Sequence, residues 1–297
     1  MSTVSTNGAA TIAPTYPTMT RLGDLLTEWE QDAEAAYHAK QSGVPRGPVT
    51  GFGRLDQELG SFLSPGLHVL HGSPGTGKTA FGLQIAATCS CPALMVSCEM
   101  GRLELFRRIT ARVTGTYLGR LKSGEFDAAT STALARNAAL ASPDVALADA
   151  TRVFAEPTWI QTAAEIVRGN AAHVLIIIDS VHSWAESQQS GQSEYDMLNA
   201  ALAALRSMAN HLHCPVLAIA ERNRASMTTG GLNAAASSRK FEYGAEAVFD
   251  LNRPKETPPD AAGEVPVELT LQKNRNGATG KKISLRFHGA LQRFREE

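Results

Sequence analysis

Residues 67–87 read LHVLHGSPGTGKTAFGLQIAA, and the eight residues from Gly72 to Thr79 fit the pattern G-x-x-x-x-G-K-T. The apolar run Leu67–Leu70 before this pattern predicts a strand, and the segment AFGLQIAA after it predicts a helix. A strand, a glycine-rich loop and a helix in this order form a cradle for nucleotide phosphates. The alternative interpretation is a glycine-rich turn that holds no ligand.

The residue types in this loop match the chemistry of phosphate binding. Glycines let backbone N–H groups close around phosphate oxygens, and the start of the helix adds partial positive charge. We expect Lys78 to reach the β- and γ-phosphates and the hydroxyl of Thr79 to bind Mg²⁺. The predicted nucleotide-binding residues are Gly72, Ser73, Pro74, Gly75, Thr76, Gly77, Lys78, Thr79 and Ala80.

Apolar segments and helical patterns alternate after residue 49, which predicts an α/β fold with a mostly parallel sheet and helices on both of its faces. Near the C-terminus, Val265–Leu271 and Ile283–Phe287 flank the sequence NRNGATGKK, which predicts an antiparallel hairpin. The other predicted strands are Leu67–Leu70, Ala93–Val96, Val145–Leu147, Val174–Ile178 and Val216–Ile219.

Carboxylates follow the predicted strands at the edge where ligands bind in open α/β sheets. Asp179 directly follows an apolar strand, and we expect it to hold the Mg²⁺ shell, with a helix cap as the alternative. Glu99 is placed to orient or deprotonate the attacking water. Glu221 provides a further polar group near the γ-phosphate.

The N-terminal part of the chain differs from the rest. Residues 1–18 are rich in Ser, Thr, Pro and Ala and predict a flexible tail. Residues 19–41 form one amphipathic helix by their spacing of apolar side chains, and the Gly- and Pro-containing stretch that follows is a linker. Periodicity alone favours packing of this helix on its own domain, and docking on a neighbouring subunit is the alternative. Residues 42–297 then form the α/β domain.

Charge and composition exclude several classes of protein. The 28 Lys and Arg residues nearly balance the 29 Asp and Glu residues, giving a net charge of -1, which excludes a globally basic nucleic-acid binder but not a local basic patch. We expect no membrane span and no signal peptide, and therefore a cytoplasmic protein. The spacing of the cysteines does not suit a structural zinc site; they are Cys89, Cys91, Cys98 and Cys214.

The motifs together resemble the RecA-type ATPase core, and specifically the C-terminal motor domain of DnaB-type replicative helicases, from about residue 42 to 296. The resemblance includes VTGFGRLDQELGSFLSPGLHVLHGSPGTGKTAFGLQIA, which contains the phosphate loop, and SCEMGRLELFRRITARVTG, which contains Glu99. It continues through LAIAERNR and FEYGAEAVFDL and ends with LQKNRNGATGKKISLRFHGALQRF. The resemblance implies a P-loop ATPase with ATP and Mg²⁺ as its cofactors, acting as a helicase.

The resemblance also implies roles at matching positions. Glu99 corresponds to the catalytic glutamate of the family, and Lys273 and Arg275 fall where the family has cations that reach the ATP of the neighbouring subunit. A pair of solvated hairpin cations is the alternative for these two residues. The family relation favours docking of the N-terminal helix on the next subunit, and hence a homo-oligomeric ring, expected to be a hexamer.

Two polar loops are expected to leave the sheet edge, at Ser180–Gln192 and Asn223–Lys240. The resemblance implies that they line a central channel and bind single-stranded DNA through Arg224, Arg239 and Lys240. Solvated mobile loops without a ligand are the alternative interpretation.

The sequence departs from the family pattern in three respects. The residues before the motor domain predict only a tail and one helix, with no counterpart of the family's N-terminal collar domain. Asp179 is followed by SVHSW. Glu221 stands where the family usually has glutamine, and because a carboxylate does not donate to the γ-phosphate as an amide does, we expect an altered coupling of hydrolysis to DNA. We expect an ATP-driven ring on single-stranded DNA, with replication or loader proteins as further partners. The alternative is a RadA- or KaiC-like regulatory or assembly ATPase that acts on a protein partner without unwinding DNA.

Overall fold

The structure is a computed structural model that describes residues 19–187, 193–221, 244–254 and 257–297. The chain divides into two compact units, Met1–Arg46 and Gly47–Glu297. In the described parts of the chain, no helix combines the length and apolarity that a membrane crossing requires.

In the first unit, the structure describes one α-helix, in the part that begins at residue 19. A 3₁₀ turn at Leu22–Leu25 leads into α1, Leu26–Ser42, which ends where Gly43 adopts a left-handed conformation with φ 71°. No residue of α1 is buried, and its large apolar side chains Leu26, Trp29 and Tyr37 are exposed. The predicted tail, residues 1–18, lies outside the described residues.

The second unit is built from a sheet and its flanking helices. Its helices are α2 Gly53–Glu58, α3 Lys78–Thr88, α4 Arg102–Thr114, α5 Leu118–Lys122, α6 Ala128–Ala141, α7 Pro157–Arg168, α8 Val181–Glu186 and α9 Glu194–Leu212, with a 3₁₀ turn at Gly289–Leu291. Its strands are β1 Gly66–Gly72, β2 Ala93–Ser97, β3 Val145–Asp149, β4 Leu175–Asp179, β5 Pro215–Glu221, β6 Ala247–Asn252, β7 Val265–Asn274, β8 Lys281–His288 and β9 Arg293–Glu296.

The described strands form a nine-stranded sheet in the order β3-β2-β4-β5-β1-β6-β7-β8-β9. The pairs from β3 to β6 are parallel, and β6-β7, β7-β8 and β8-β9 are antiparallel. The predicted α/β fold with a parallel sheet and a C-terminal hairpin is therefore confirmed. In the register of the parallel strands, Ser97 lies beside Asp179 and Gly72 lies beside Glu221, so the strand ends that carry polar residues meet at one edge.

Both faces of the sheet are buried, since successive side chains of a strand point to opposite faces. In β4, Ile177 packs in the cluster that includes Phe81 of α3, whereas Ile176 and Ile178 pack in the cluster that includes Trp184 of α8. Burying each of these isoleucines contributes about 1.5–3 kcal/mol. The continuous apolar run of the strand thus follows from its position between two helical layers.

Sequence patterns missed β6 and β9. In β6 the buried Asp250 interrupts the apolar run, and its Oδ2 accepts a hydrogen bond from Gln272 Nε2 at 3.2 Å. In β9 the buried apolar residue is Phe294, whose ring stacks on that of Phe287 with centroids 4.3 Å apart. Neither strand shows the periodicity from which strands are predicted.

The prediction of a polar loop at Ser180–Gln192 is wrong for the first part of this segment, where the chain forms α8. The side chain of Ser180 caps this helix by accepting a hydrogen bond from the backbone N–H of Ser183. Val181, Trp184 and Ala185 are buried because their spacing places them on one helix face. Residues 188–192 lie outside the described residues.

Candidate nucleotide site

The glycine-rich loop connects β1 to α3 and has a fixed shape. Thr76 Oγ1 donates a hydrogen bond to the carbonyl oxygen of Ser73 at 2.9 Å. Gly77 has φ 96°, and a Cβ atom at this position would lie 2.9 Å from Cζ of Phe294. This position therefore requires glycine, both for its backbone conformation and for the close approach of the aromatic ring.

Lys78 is the first residue of α3, and its side chain folds back over the loop. Its Nζ donates hydrogen bonds to the carbonyl oxygens of Gly72 at 2.9 Å and Ser73 at 3.3 Å. Burial lowers the pKa of this ammonium group, and the nearby carboxylates of Glu221, Asp179 and Glu99 oppose that shift. A partly buried cation surrounded by carboxylates can bind a phosphate oxygen as a point charge.

Thr79 and Asp179 bring oxygen atoms together at the strand edge. Thr79 Oγ1 donates to Asp179 Oδ2 at 2.8 Å, and Asp179 is buried. Burial raises the pKa of Asp179 to about 6, while the hydrogen bond from Thr79 and the charge of Lys78 lower it. A buried carboxylate beside a hydroxyl is a donor set that fits Mg²⁺, which prefers oxygen ligands and is bound with one or two carboxylates plus substrate phosphates.

Glu99 follows β2 and lies next to the start of α8. Its Oε1 accepts hydrogen bonds from Oγ of Ser180 and, at 3.1 Å, from Oγ of Ser183. Glu221 ends β5, and its backbone N–H donates to Nδ1 of His182 at 3.3 Å. The start of α8 thus contacts the ends of two strands.

A cavity of about 300 Å³ opens at this edge of the sheet and brings most of the predicted site residues together. Gly72, Ser73 and Thr76 do not line it, although they shape the loop behind it. The lining residues are Pro74, Gly75, Gly77, Lys78, Thr79, Ala80, Glu99, Met100, Arg108, Asp179, Ser180, Glu221, Phe287 and Gln292.

Sequence reasoning missed the lining contributed by Arg108 and Gln292. An Arg108 Nη1 hydrogen bond to Gln292 Oε1 joins the two side chains, and Arg108 Nη2 lies 3.4 Å from Glu104 Oε1. Arg108 lies on α4 between Leu105 and Ile109, both of which are buried. No local pattern of the sequence singles out Arg108, because Arg107 stands between the same two apolar residues.

The hairpin cations do not line this cavity within the same chain. Lys273 lies near the end of β7, and Arg275 follows that strand. Arg275 Nη1 lies 3.0 Å from Glu246 Oε1, and the backbone N–H of Arg275 donates to the Glu246 carbonyl oxygen at 2.8 Å. The structure therefore holds Arg275 at a partner in its own chain and outside its own nucleotide cavity.

The remaining predictions concern DNA binding, the cysteines and metal sites. The predicted DNA-binding residues Arg224, Arg239 and Lys240 lie outside the described residues. All four cysteines are free thiols. Over the described ranges, no group of three or more His, Cys, Asp or Glu side chains is arranged to hold a metal ion.

Comparison with known proteins gives the family. The family described as "DnaB-like helicase C terminal domain" matches residues 47–296. The replicative DNA helicase DnaB of Leifsonia xyli subsp. xyli is 26% identical over an alignment of 298 positions. The alignment covers 92% of this chain and 60% of that protein. The chain thus spans about 60% of the length of that relative.

Solved structures share the fold. One solved ATPase domain superimposes with a TM-score of 0.74 at 20% identity, covering 90% of this chain and 98% of that domain. A DnaB-like replicative helicase, described with its interactions with primase, gives a TM-score of 0.75 at 20% identity and covers 91% of this chain and 67% of that protein. The nine-stranded sheet is thus a RecA-like core. Because the family match extends over most of the sequence, the chain belongs to the DnaB-like helicase C-terminal domain family.

Proposed function

We propose that this chain binds and hydrolyses ATP and acts as a DnaB-like helicase or translocase, in an oligomeric ring on single-stranded DNA. The observation that carries this proposal is the convergence of Lys78, Thr79, Asp179 and Glu99 on one cavity at the sheet edge. Membership of the DnaB-like family supports the same function.

The loop residues and the start of α3 would bind the phosphates of ATP. Lys78, Thr79 and Ala80 line the cavity at the start of α3, where the Nζ of Lys78 and the backbone N–H groups of the helix start would neutralise phosphate charge. Thr79 and Asp179 would hold Mg²⁺, which neutralises charge on the β- and γ-phosphates when bound.

Glu99 would act as the base that orients the attacking water and accepts its proton. Its carboxylate lines the same cavity as Lys78 and Arg108, whose positive charges would stabilise the charge that develops on the transferred phosphoryl group. Glu221 contributes differently, because an ionised carboxylate cannot donate a hydrogen bond to a phosphate. Its backbone contact with His182 ties β5 to α8 instead.

A second subunit would complete the site. Lys273 and Arg275 lie outside their own cavity, and they would act as cations in trans on the ATP of a neighbour. The exposed helix α1 would dock on that neighbour through its apolar side chains. We propose that these contacts close a homo-oligomeric ring, a hexamer.

DNA binding is assigned to the segment that follows Glu221. Arg224, Arg239 and Lys240 would neutralise phosphates of the DNA backbone, and small residues between them would let backbone N–H groups approach. An ATPase that acts on a protein partner is the competing function, favoured by the carboxylate of Glu221 where an amide is usual in the family.

The test is the steady-state ATPase rate with and without single-stranded DNA, with Lys78→Ala as the inactive reference. We expect stimulation by DNA that declines at high salt, since binding to the DNA backbone releases counterions. Substituting Arg224, Arg239 and Lys240 by alanine should remove the stimulation and leave the rate without DNA intact. A rate that DNA leaves unchanged would contradict the helicase proposal and favour the protein-directed ATPase.

A further inference from the structure

The first turn of α8 supplies both side-chain hydrogen bonds to Glu99 found in the described part of the chain. Ser180 Oγ and Ser183 Oγ both donate to the same atom, Oε1 of Glu99. Ser183 Oγ lies 3.1 Å both from Oε1 of Glu99 and from Oγ of Ser180, and its one proton favours the carboxylate, which is the stronger acceptor. Oε2 of Glu99 receives no hydrogen bond from the described residues and is left to accept one from water.

Buried contacts fix the position of this turn. Trp184 is fully buried, and its Nε1 donates to the carbonyl oxygen of Ala155 at 2.8 Å. Val181 and Ala185 are buried beside it. The serine hydroxyls therefore project from a part of the fold that is anchored in the core, and they can fix the carboxylate of Glu99 in one orientation.

The two serines differ in their other contacts. Ser180 caps α8 and lines the nucleotide cavity, so its substitution would disturb helix and cavity together. Ser183 does not line the cavity, and its hydroxyl lies within reach of Glu99. Ser183 is therefore the residue at which an effect on Glu99 can be separated from nucleotide binding.

We propose that Ser183 is a positioning residue for Glu99, holding one carboxylate oxygen so that the other faces the attacking water. This inference rests on the proposed role of Glu99 as the base. It concerns the segment SVHSW, in which this chain departs from the family pattern after Asp179. The hydrogen bond acts through Glu99, and Ser183 itself contacts neither ATP nor the water.

The experiment measures kcat and KM for ATP in the full chain, together with the affinity for a fluorescent ADP analogue. We expect Ser183→Ala to lower kcat about tenfold, with KM and the affinity for the ADP analogue changed by less than about twofold, because a charge-assisted hydrogen bond to the base is lost. Ser183→Thr keeps the hydroxyl and should retain kcat within about twofold.

Ser187→Ala is the matched control. Ser187 caps the other end of α8, where its Oγ donates to the Trp184 carbonyl oxygen at 2.7 Å. It makes no hydrogen bond to Glu99, so this variant should retain kcat. In a Glu99→Gln background, Ser183→Ala should cause no further loss, since the two residues act as a unit.

Several results would overturn the inference. An unchanged kcat in Ser183→Ala would mean that the serine does not position the base. An increased kcat would mean that the serine restrains the base. An equal loss in the alanine and threonine variants, with raised KM, would indicate a structural role only. Failure of the proposed function would give different results. Glu99→Gln would hydrolyse ATP at the wild-type rate, or the wild-type chain would hydrolyse no ATP either with or without DNA.

Discussion

Arg275→Ala tests whether another subunit completes the nucleotide site. In its own chain Arg275 pairs with Glu246 at 3.0 Å, with 57% of the arginine side chain exposed. An ion pair this exposed contributes about 0–1 kcal/mol. An arginine that stabilises phosphoryl transfer contributes about 10³–10⁵ in kcat, which corresponds to about 4–7 kcal/mol. Because the second quantity is much larger, Glu246 cannot hold Arg275 back from the phosphates of a neighbour.

We therefore expect Arg275→Ala to lower the ATPase kcat of the assembled protein by about 10³ or more, while the free energy of unfolding changes by less than about 1 kcal/mol. Lys282→Ala is the matched control, because it removes a comparable pair with Glu268, 3.1 Å apart on the same hairpin and with 63% of the lysine side chain exposed. That variant should retain both the rate and the stability.

Mixed oligomers show whether Arg275 acts in trans. Arg275→Ala subunits keep Lys78, and Lys78→Ala subunits keep Arg275, so a composite site between them would contain both residues. Random mixing of equal amounts makes about one quarter of the sites complete. Oligomers co-purified through different tags on the two variants should recover activity above the sum of the separate variants. A mixture no more active than that sum, or an active Arg275→Ala protein, would refute the trans arrangement.

Further predictions concern the proposed metal ligands, the core and the glycine-rich loop. Thr79→Ala removes the hydroxyl bonded to Asp179, so a titration should show that half-maximal ATPase requires about tenfold more Mg²⁺. Burial lowers the pKa of His68 to about 4, below its usual 6.5, so only the unfolded chain gains a proton between those values. Stability should fall by about 3 kcal/mol as the pH drops from 6.5 to 4, and urea unfolding of His68→Gln should lack this part of the loss. Gly77→Ala should abolish binding of a fluorescent nucleotide and lower Tm more than Gly280→Ala does. Gly280 also has a positive φ, but no atom lies within 4 Å of the place that its Cβ would take. Equal effects of the two substitutions would contradict the predicted clash with Phe294.

Local sequence chemistry was sufficient for the parallel core and for the glycine-rich loop. Each parallel strand that it predicted is a short apolar run, because both faces of the sheet are covered, and a run of this kind is visible without knowledge of its neighbours. The loop is equally visible, since the positive φ of Gly77 requires glycine within the loop itself. The predicted strands also give the positions at which they end. Because Glu99 and Asp179 stand at such ends, the sequence places both residues at the sheet edge, as the structure does.

The remainder depended on tertiary contacts that no local pattern encodes. β6 is a strand in spite of Asp250 because β1 and β7 flank it on both sides. Arg108 reaches the cavity because Gln292, distant in the sequence, binds its guanidinium group. The serines of α8 contact Glu99 only after α8 packs through Trp184 against the segment at Ala155. In each case the deciding partner lies far along the chain.

The charge inside the cavity argues for a site shared between subunits. Its described lining has the cations Lys78 and Arg108 against the anions Glu99, Asp179 and Glu221, a balance of -1 before any ligand binds. ATP would add about four negative charges and Mg²⁺ would offset only about two of them, so a cavity that held both would carry about three uncompensated negative charges. Charges in a partly desolvated site are costly unless paired, and the transition state cannot form well without further cations. Lys273 and Arg275 carry two positive charges outside the cavity of their own domain, and Arg275 lies 3.0 Å from Glu246. An assembly that brings the hairpin of one chain to the cavity of the next would correct most of this imbalance, and it would make hydrolysis depend on contact between subunits.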